Sequence, residues 1–295
     1  MVSASGRARI LAAAVGALAA LAAGGRDSAV AAAEPGLVKA QLLADVAGVQ
    51  PGATFTVGVL LEMERGWHIY WKHPGDAGLP TAVNLRLPPG FSTVTGLQWP
   101  VPQRFAQPGG VAGFGYEGSV LLTQRVKAPE GLAAEGPVQV GADVSWLACK
   151  EACVPGSARL RLSLPVVESA APAGAGLFAA WRERLPVDSG APTSPLAFEV
   201  KGGIPPEAES GRIEIRIAWR VLPAAVDWFP DLPPWLAVED VSIRTDGRTT
   251  LIAFTARVLK GQRLLVPAIE SVVGYSDAKQ VQRGVSLDIP LRPGA

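Results

Sequence analysis

Asp143-Val144-Ser145-Trp146-Leu147-Ala148-Cys149-Lys150-Glu151-Ala152-Cys153-Val154-Pro155-Gly156 holds both cysteines of the chain, with a strand pattern on either side. Upstream, Val138 to Leu147 is rich in β-branched and apolar residues. Downstream, Ala158 to Leu164 alternates apolar and polar with period two. The cysteines therefore fall on a tight connection between two strands. Fully extended, four residue steps would hold their Cα atoms about 13 Å apart. A disulfide needs about 4.4–6.8 Å, so pairing demands a turn or one helical turn here. Pro155-Gly156 can then lead the chain into the next strand.

Working outward, further strand patterns lie near Leu37 to Val46, Thr54 to Met63, Trp67 to Trp71, Ala82 to Leu87, Val94 to Trp99 and Ser119 to Lys127. The joints between them carry turn residues, such as Gln50-Pro51-Gly52, His73-Pro74-Gly75-Asp76 and Pro88-Pro89-Gly90. This spacing predicts an all-β sandwich over 37–166. Residues 167–176 are small and Pro/Gly-rich without apolar periodicity, and read as a linker. A short amphipathic helix follows, with Leu177, Phe178, Trp181 and Leu185 at helical spacing. Strand patterns then resume at Arg212 to Val221, Ala237 to Arg244, Thr249 to Val258, Arg263 to Val266 and Val285 to Ile289. A second, smaller β-rich domain is expected over 177–295.

Composition narrows the function. With 48% apolar and 18% charged residues, the 295-residue chain can bury substantial cores. Its 33 Gly and 26 Pro show no glycine period, and many turns between short strands account for them. The 27 basic and 26 acidic residues nearly balance, so nucleic acid is disfavoured as a partner. Two His and two Cys cannot build a four-thiolate zinc site or a multi-haem site, and no cofactor or resident metal is expected.

Residues 1–33 read as a targeting segment. Arg7 and Arg9 precede an apolar run from Ile10 to Ala23, and small residues end at Ala29-Val30-Ala31-Ala32-Ala33. The run is shorter than the ~20 residues of a spanning helix, and no later stretch approaches eighteen apolar residues. An exported, water-soluble protein is expected, in a compartment where two cysteines normally pair.

Such a bridge has two readings. As a staple it closes only a few residues, so its stabilisation falls at the low end of about 2–4 kcal/mol. As a redox pair it would be exposed and reducible. Spacing alone leaves both open. Trp67, His68, Tyr70, Trp71 and His73 form a second cluster. On a strand, Trp67, Ile69 and Trp71 point one way and His68 and Tyr70 the other, which reads as a core-facing stripe with polar residues outside. Imidazole and thiolate both suit copper, so His68, His73 and the cysteines are also weighed as a copper set. No phosphate-binding loop, nucleophile elbow or zinc-protease motif is present.

Three stretches in order carry a family resemblance: Gly66-Trp67-His68-Ile69-Tyr70-Trp71 with Pro74-Gly75-Asp76-Ala77-Gly78-Leu79-Pro80, then Phe114-Gly115-Tyr116-Glu117-Gly118, then Trp146 to Pro155. Over about 37–166 the chain resembles the periplasmic amino-terminal domain of the thiol:disulfide interchange protein DsbD, in its copper-sensitivity-suppressor-like branch. The resemblance implies an immunoglobulin-like sandwich whose Cys149/Cys153 pair takes electrons from a membrane-embedded donor and passes them to periplasmic thioredoxin-fold partners. It also implies that Cys153 forms the mixed disulfide. The transmembrane and thioredoxin-like domains of full-length relatives are missing here, so the donor is expected on a separate chain. Trp146, Leu147, Val154 and Tyr116 are expected to form an apolar collar for the partner. Lys150 and Glu151 pull the thiol pKa in opposite directions. The alternatives are a copper-binding or copper-tolerance periplasmic protein, and a non-redox binding module with a structural disulfide.

Overall fold

In a computed structural model, residues 36–292 are described except 107–110, 134–135, 262–263, 265 and 278–280. The expected targeting segment lies outside the described residues, as does part of the expected Arg263 to Val266 strand.

Ten strands precede the helix: β1 (Val38–Ala44), β2 (Thr54–Met63), β3 (His68–Gly75), β4 (Ala82–Arg86), β5 (Ser92–Thr93), β6 (Gln103–Ala106), β7 (Ala112–Glu117), β8 (Ser119–Lys127), β9 (Val138–Cys149) and β10 (Cys153–Leu164). They build one sheet in the order β1-β2-β8-β5 and another in the order β10-β9-β3-β7-β6. Along one edge of β9, β3 pairs at Cys149 and Ala148, and β4 takes over from Ser145 to Gly141. Alternation puts Phe55, Val57, Val59 and Leu61 of β2 against Ile69, Trp71, Ala142, Val144 and Ala148 of the facing sheet, in one buried cluster. The expected strand at Val94 to Trp99 does not form. Gly96 interrupts it, and only Val94 and Gln98 reach β8 through backbone hydrogen bonds.

The Pro/Gly-rich segment after β10 is stitched to the first sandwich. Val167 N donates to Val49 O and Ala173 N to Asp45 O. Helix α1 (Ala175–Arg182) follows. Eight residues are too few for a helix to hold itself together in water. Packing holds it, because Phe178 and Trp181 are buried in the core of the first sandwich.

The second sandwich comprises β11 (Val187–Asp188), β12 (Leu196–Gly202), β13 (Ser210–Trp219), β14 (Ala225–Pro230), β15 (Leu236–Asp246), β16 (Thr249–Val258), β17 (Ala268–Ser276) and β18 (Gln282–Pro290). Its sheets run β11-β18-β17-β14 and β12-β13-β16-β15. Strand β13 shows strict alternation, with Ile213, Ile215 and Ile217 all fully buried. A separate apolar cluster fills this sandwich. Phe229 nevertheless sits in the first cluster, its ring centroid 5.1 Å from Phe114 and 6.4 Å from Trp71. Burying such a side chain is worth about 1.5–3 kcal/mol. Beside it, the Lys72 ammonium pairs with Asp231 at 2.5 Å and Glu270 at 3.2 Å. Burial works against that charge, yet its hydrogen bonds and ion pairs with Asp231 and Glu270 prevail and hold it above the usual lysine range. Among the described residues no helix is long and apolar enough to cross a membrane.

Candidate redox site

Strands β9 and β10 form a hairpin in which Cys149 lies directly opposite Cys153. Three residues, Lys150-Glu151-Ala152, close it, with Lys150 N donating to Ala152 O at 3.1 Å. The cysteines are disulfide-bonded, with Cα atoms 4.1 Å apart. The strands run further than the pattern suggested, so the cysteines are the last and first rungs of a β-ladder. Strand β10 is the sheet edge, which is why Pro155 fits within it without a backbone donor.

The two sulfurs sit in different surroundings. Cys149 is only 3% exposed, whereas Cys153 is open to solvent. The cause lies in the strand pleat. Ala142, Val144 and Ala148 face the core of the sandwich, so Cys149 and Leu147 point to the opposite, outer face. On β3 the core residues are Ile69 and Trp71, which turns His68 and Tyr70 outward as well. They do not reach water: Tyr70 is 1% and His68 9% exposed.

An additional layer covers them. The turn at Pro74 to Pro80 folds back so closely that a Cβ at Gly78 would overlap the Tyr70 ring. Asp76 fastens this turn, its N–H donating to Ala112 O and its carboxylate accepting from Ala112 N, both at 2.9 Å. From the far side Phe105 of β6 stacks on His68, with centroids 4.5 Å apart and planes at 19°. Phe105 reaches across β7 because, beside it, that strand carries Gly113 and Gly115 on this face, with Glu117 further along. Tyr70 meets His68 edge-on at 5.3 Å.

His68 is the cross-strand partner of Cys149 on one side and of Glu117 on the other. Cys149, His68 and Glu117 thus form one row over three adjacent strands. Burial lowers the His68 pKa below its usual value, and the Glu117 charge opposes that shift. The imidazole Nε2 is buried and finds no hydrogen-bond partner among the described residues.

The collar residues divide. Leu147, opposite Pro155, shares the face of the cysteines. Trp146 and Val154 lie on the other face of the hairpin, Val154 43% exposed and the Trp146 indole laid over Gly156. Tyr116 is corrected: it is 4% exposed, packs in the core and donates its hydroxyl to Pro100 O at 2.7 Å. It offers no collar surface. Lys150 lies over Gly66, its Nζ 3.4 Å from where a Cβ would stand. The weighed copper set does not assemble either. His73 lies among Asp231, Asp76 and Lys72, its Nδ1 accepting from Gly75 N, while His68 is enclosed under Phe105. Among the described residues, no three His, Cys, Asp or Glu side chains come together as a metal site.

Sequence reasoning found the cysteines and the orientation of His68 and Tyr70, but not the layer over them. Phe105 and the Gly113/Gly115 trough were missed. The two glycines facing one side of a strand were the available signal.

Comparison with known proteins agrees with this geometry. Residues 37–165 match the family described as thiol:disulfide interchange protein DsbD, N-terminal. The chain is similar in fold to the N-terminal periplasmic domain of ScsB from Proteus mirabilis. They share 17% identity over 87% of this chain and 93% of that one, with a TM-score of 0.59. A protein of unknown function from Porphyromonas gingivalis W83 aligns over 87% of this chain and 100% of its own, at 14% identity and a TM-score of 0.23. No curated protein matches the chain. The molecule is nearly all β, its first sandwich is immunoglobulin-like, and over residues 37–165 it matches the DsbD amino-terminal family.

Proposed function

We propose that this protein is a periplasmic thiol-disulfide exchange module. The Cys149/Cys153 pair accepts electrons from a membrane-embedded donor and delivers them to thioredoxin-fold partners. One observation carries the reading: the bridge spans a three-residue hairpin loop with one cysteine exposed and the other buried. Exchange proceeds by thiolate attack on a disulfide sulfur, a mixed disulfide and its resolution by a second thiol. An exposed Cys153 suits the first role and a sheltered Cys149 the second. A staple has no use for this asymmetry, and a loop so short gives little stabilisation. Leu147, on the face of the cysteines, is the apolar side chain that a partner meets beside Cys153, with Val154 and Trp146 on the second face of the hairpin.

In the Cys149→Ala variant the mixed disulfide on Cys153 has no resolving thiol, so it accumulates with a thioredoxin-fold protein in an oxidised periplasmic extract. Cys153→Ala traps much less. Non-reducing gels separate the outcomes: equal trapping by both variants removes the assigned roles, and trapping by neither argues against exchange.

A further inference from the structure

Resolution of the mixed disulfide requires Cys149 to give up a proton. Burial makes that difficult, because a thiolate in apolar surroundings is disfavoured. Water reaches the residue poorly, at 3% exposure, so a neighbouring group must take the proton. We propose that His68 is the proton acceptor for Cys149, with Glu117 holding the resulting imidazolium; this rests on the exchange reading above.

Three observations support it. His68 and Cys149 are directly opposed on antiparallel strands, where Cβ atoms stand about 4.5–5.5 Å apart on one face. The imidazole Nε2 is buried without a partner among the described residues, although a buried ring nitrogen normally finds one. Phe105 and Tyr70 fix the ring by stacking and edge contact, so its orientation is set before the reaction. Around the ring, β9 contributes the Cys149 sulfur, β7 the Glu117 carboxylate, β3 the Tyr70 phenol and β6 the uncharged Phe105. The carboxylate is the charge that acts on it. Burial keeps the imidazole neutral near pH 7, the form that accepts a proton.

The step balances. The Cys153 thiolate attacks the partner disulfide, forming the mixed disulfide and releasing one partner thiolate. The Cys149 S–H proton passes to His68, and the Cys149 thiolate attacks the Cys153 sulfur. The bond from Cys153 to the partner breaks as the Cys149–Cys153 bond forms. The electron pair leaves on the second partner sulfur, which takes a proton from water. Two electrons have then passed to the partner. In the opposite direction the imidazolium protonates Cys149 as it leaves.

Oxidised glutathione serves as the probe. Reduced protein is mixed with it, and acid-quenched samples are alkylated and weighed to follow adduct formation on Cys153 and its collapse to the internal bridge. His68→Gln and His68→Phe should slow collapse about tenfold or more at pH 7, while adduct formation stays within about twofold. The deficit should shrink as pH rises and Cys149 ionises unaided. Glu117→Gln, at an exposed position, should slow collapse less. Wild-type collapse rates and pH profiles in both His68 variants overturn the proposal while leaving the exchange reading intact. Equal slowing of both steps also overturns it, as a general structural effect. If wild-type protein forms neither adduct nor bridge, the exchange reading fails and this proposal with it.

Discussion

The two sandwiches use the same kind of antiparallel sheet and treat its outer face differently. In the second, β13 alternates without interruption, Ile213, Ile215 and Ile217 inward and charged residues outward. Its Trp219 Nε1 donates to Thr250 Oγ1 at 2.8 Å, so the one polar atom of that side chain is satisfied. In the first, β3 is buried on both faces from His68 to Trp71. An antiparallel strand buried on both sides marks an added layer. That layer is the turn at Pro74 to Pro80 with Phe105, and it lies where the sheet carries Cys149 and His68. Consecutive burial also occurs in β14 and β17 of the second sandwich, so what sets β3 apart is the covering layer over Cys149 and His68 and not broken alternation alone.

The comparison can be broken most forcefully by truncating one large side chain in each sandwich. Tyr70→Ala removes a fully buried ring from the added layer and Ile215→Ala a fully buried chain from the regular core. Both should lower stability, by about 3–5 and 2–5 kcal/mol respectively in denaturant unfolding. Only Tyr70→Ala should also expose Cys149 and speed its alkylation in the reduced native protein. Equal alkylation in the two variants would mean that the layer does not shelter the thiol.

A smaller effect is expected at the hairpin. Gly156→Ala places a methyl group where the Trp146 indole lies. Displacing it should cost about 1–3 kcal/mol and weaken partner trapping on Cys153, because the ring supports the hairpin from its second face. Unchanged trapping would remove Trp146 from the docking surface.

Much of the scaffold was legible. Thr54–Met63, Ser119–Lys127 and Thr249–Val258 were read to the residue, because each is rich in β-branched and apolar residues over nine or ten positions between turn signals. The strand at Ala112–Glu117 was not, since it lies inside the sheet, and Gly113 and Gly115 erase its pattern. Leu196–Gly202, Ala225–Pro230 and Ala268–Ser276 were also missed. In Ala225–Pro230 the consecutive burial of Trp228, Phe229 and Pro230 follows from contact with the first sandwich, which no local pattern reports. At the site, the cysteines and the outward direction of His68 and Tyr70 could be read from spacing. Their burial could not, because it depends on a turn and an edge strand distant in sequence.

The central claim is that the hairpin bridge is a working redox pair opened through Cys153. Equilibrating the native protein in glutathione buffers of graded potential, followed by acid quenching, alkylation and mass mapping, tests it directly. The account predicts reversible conversion between bridge and dithiol without unfolding, with glutathione adducts on Cys153 and not on Cys149. A bridge that stays closed at every potential until denaturant is added, or adducts confined to Cys149, would contradict it.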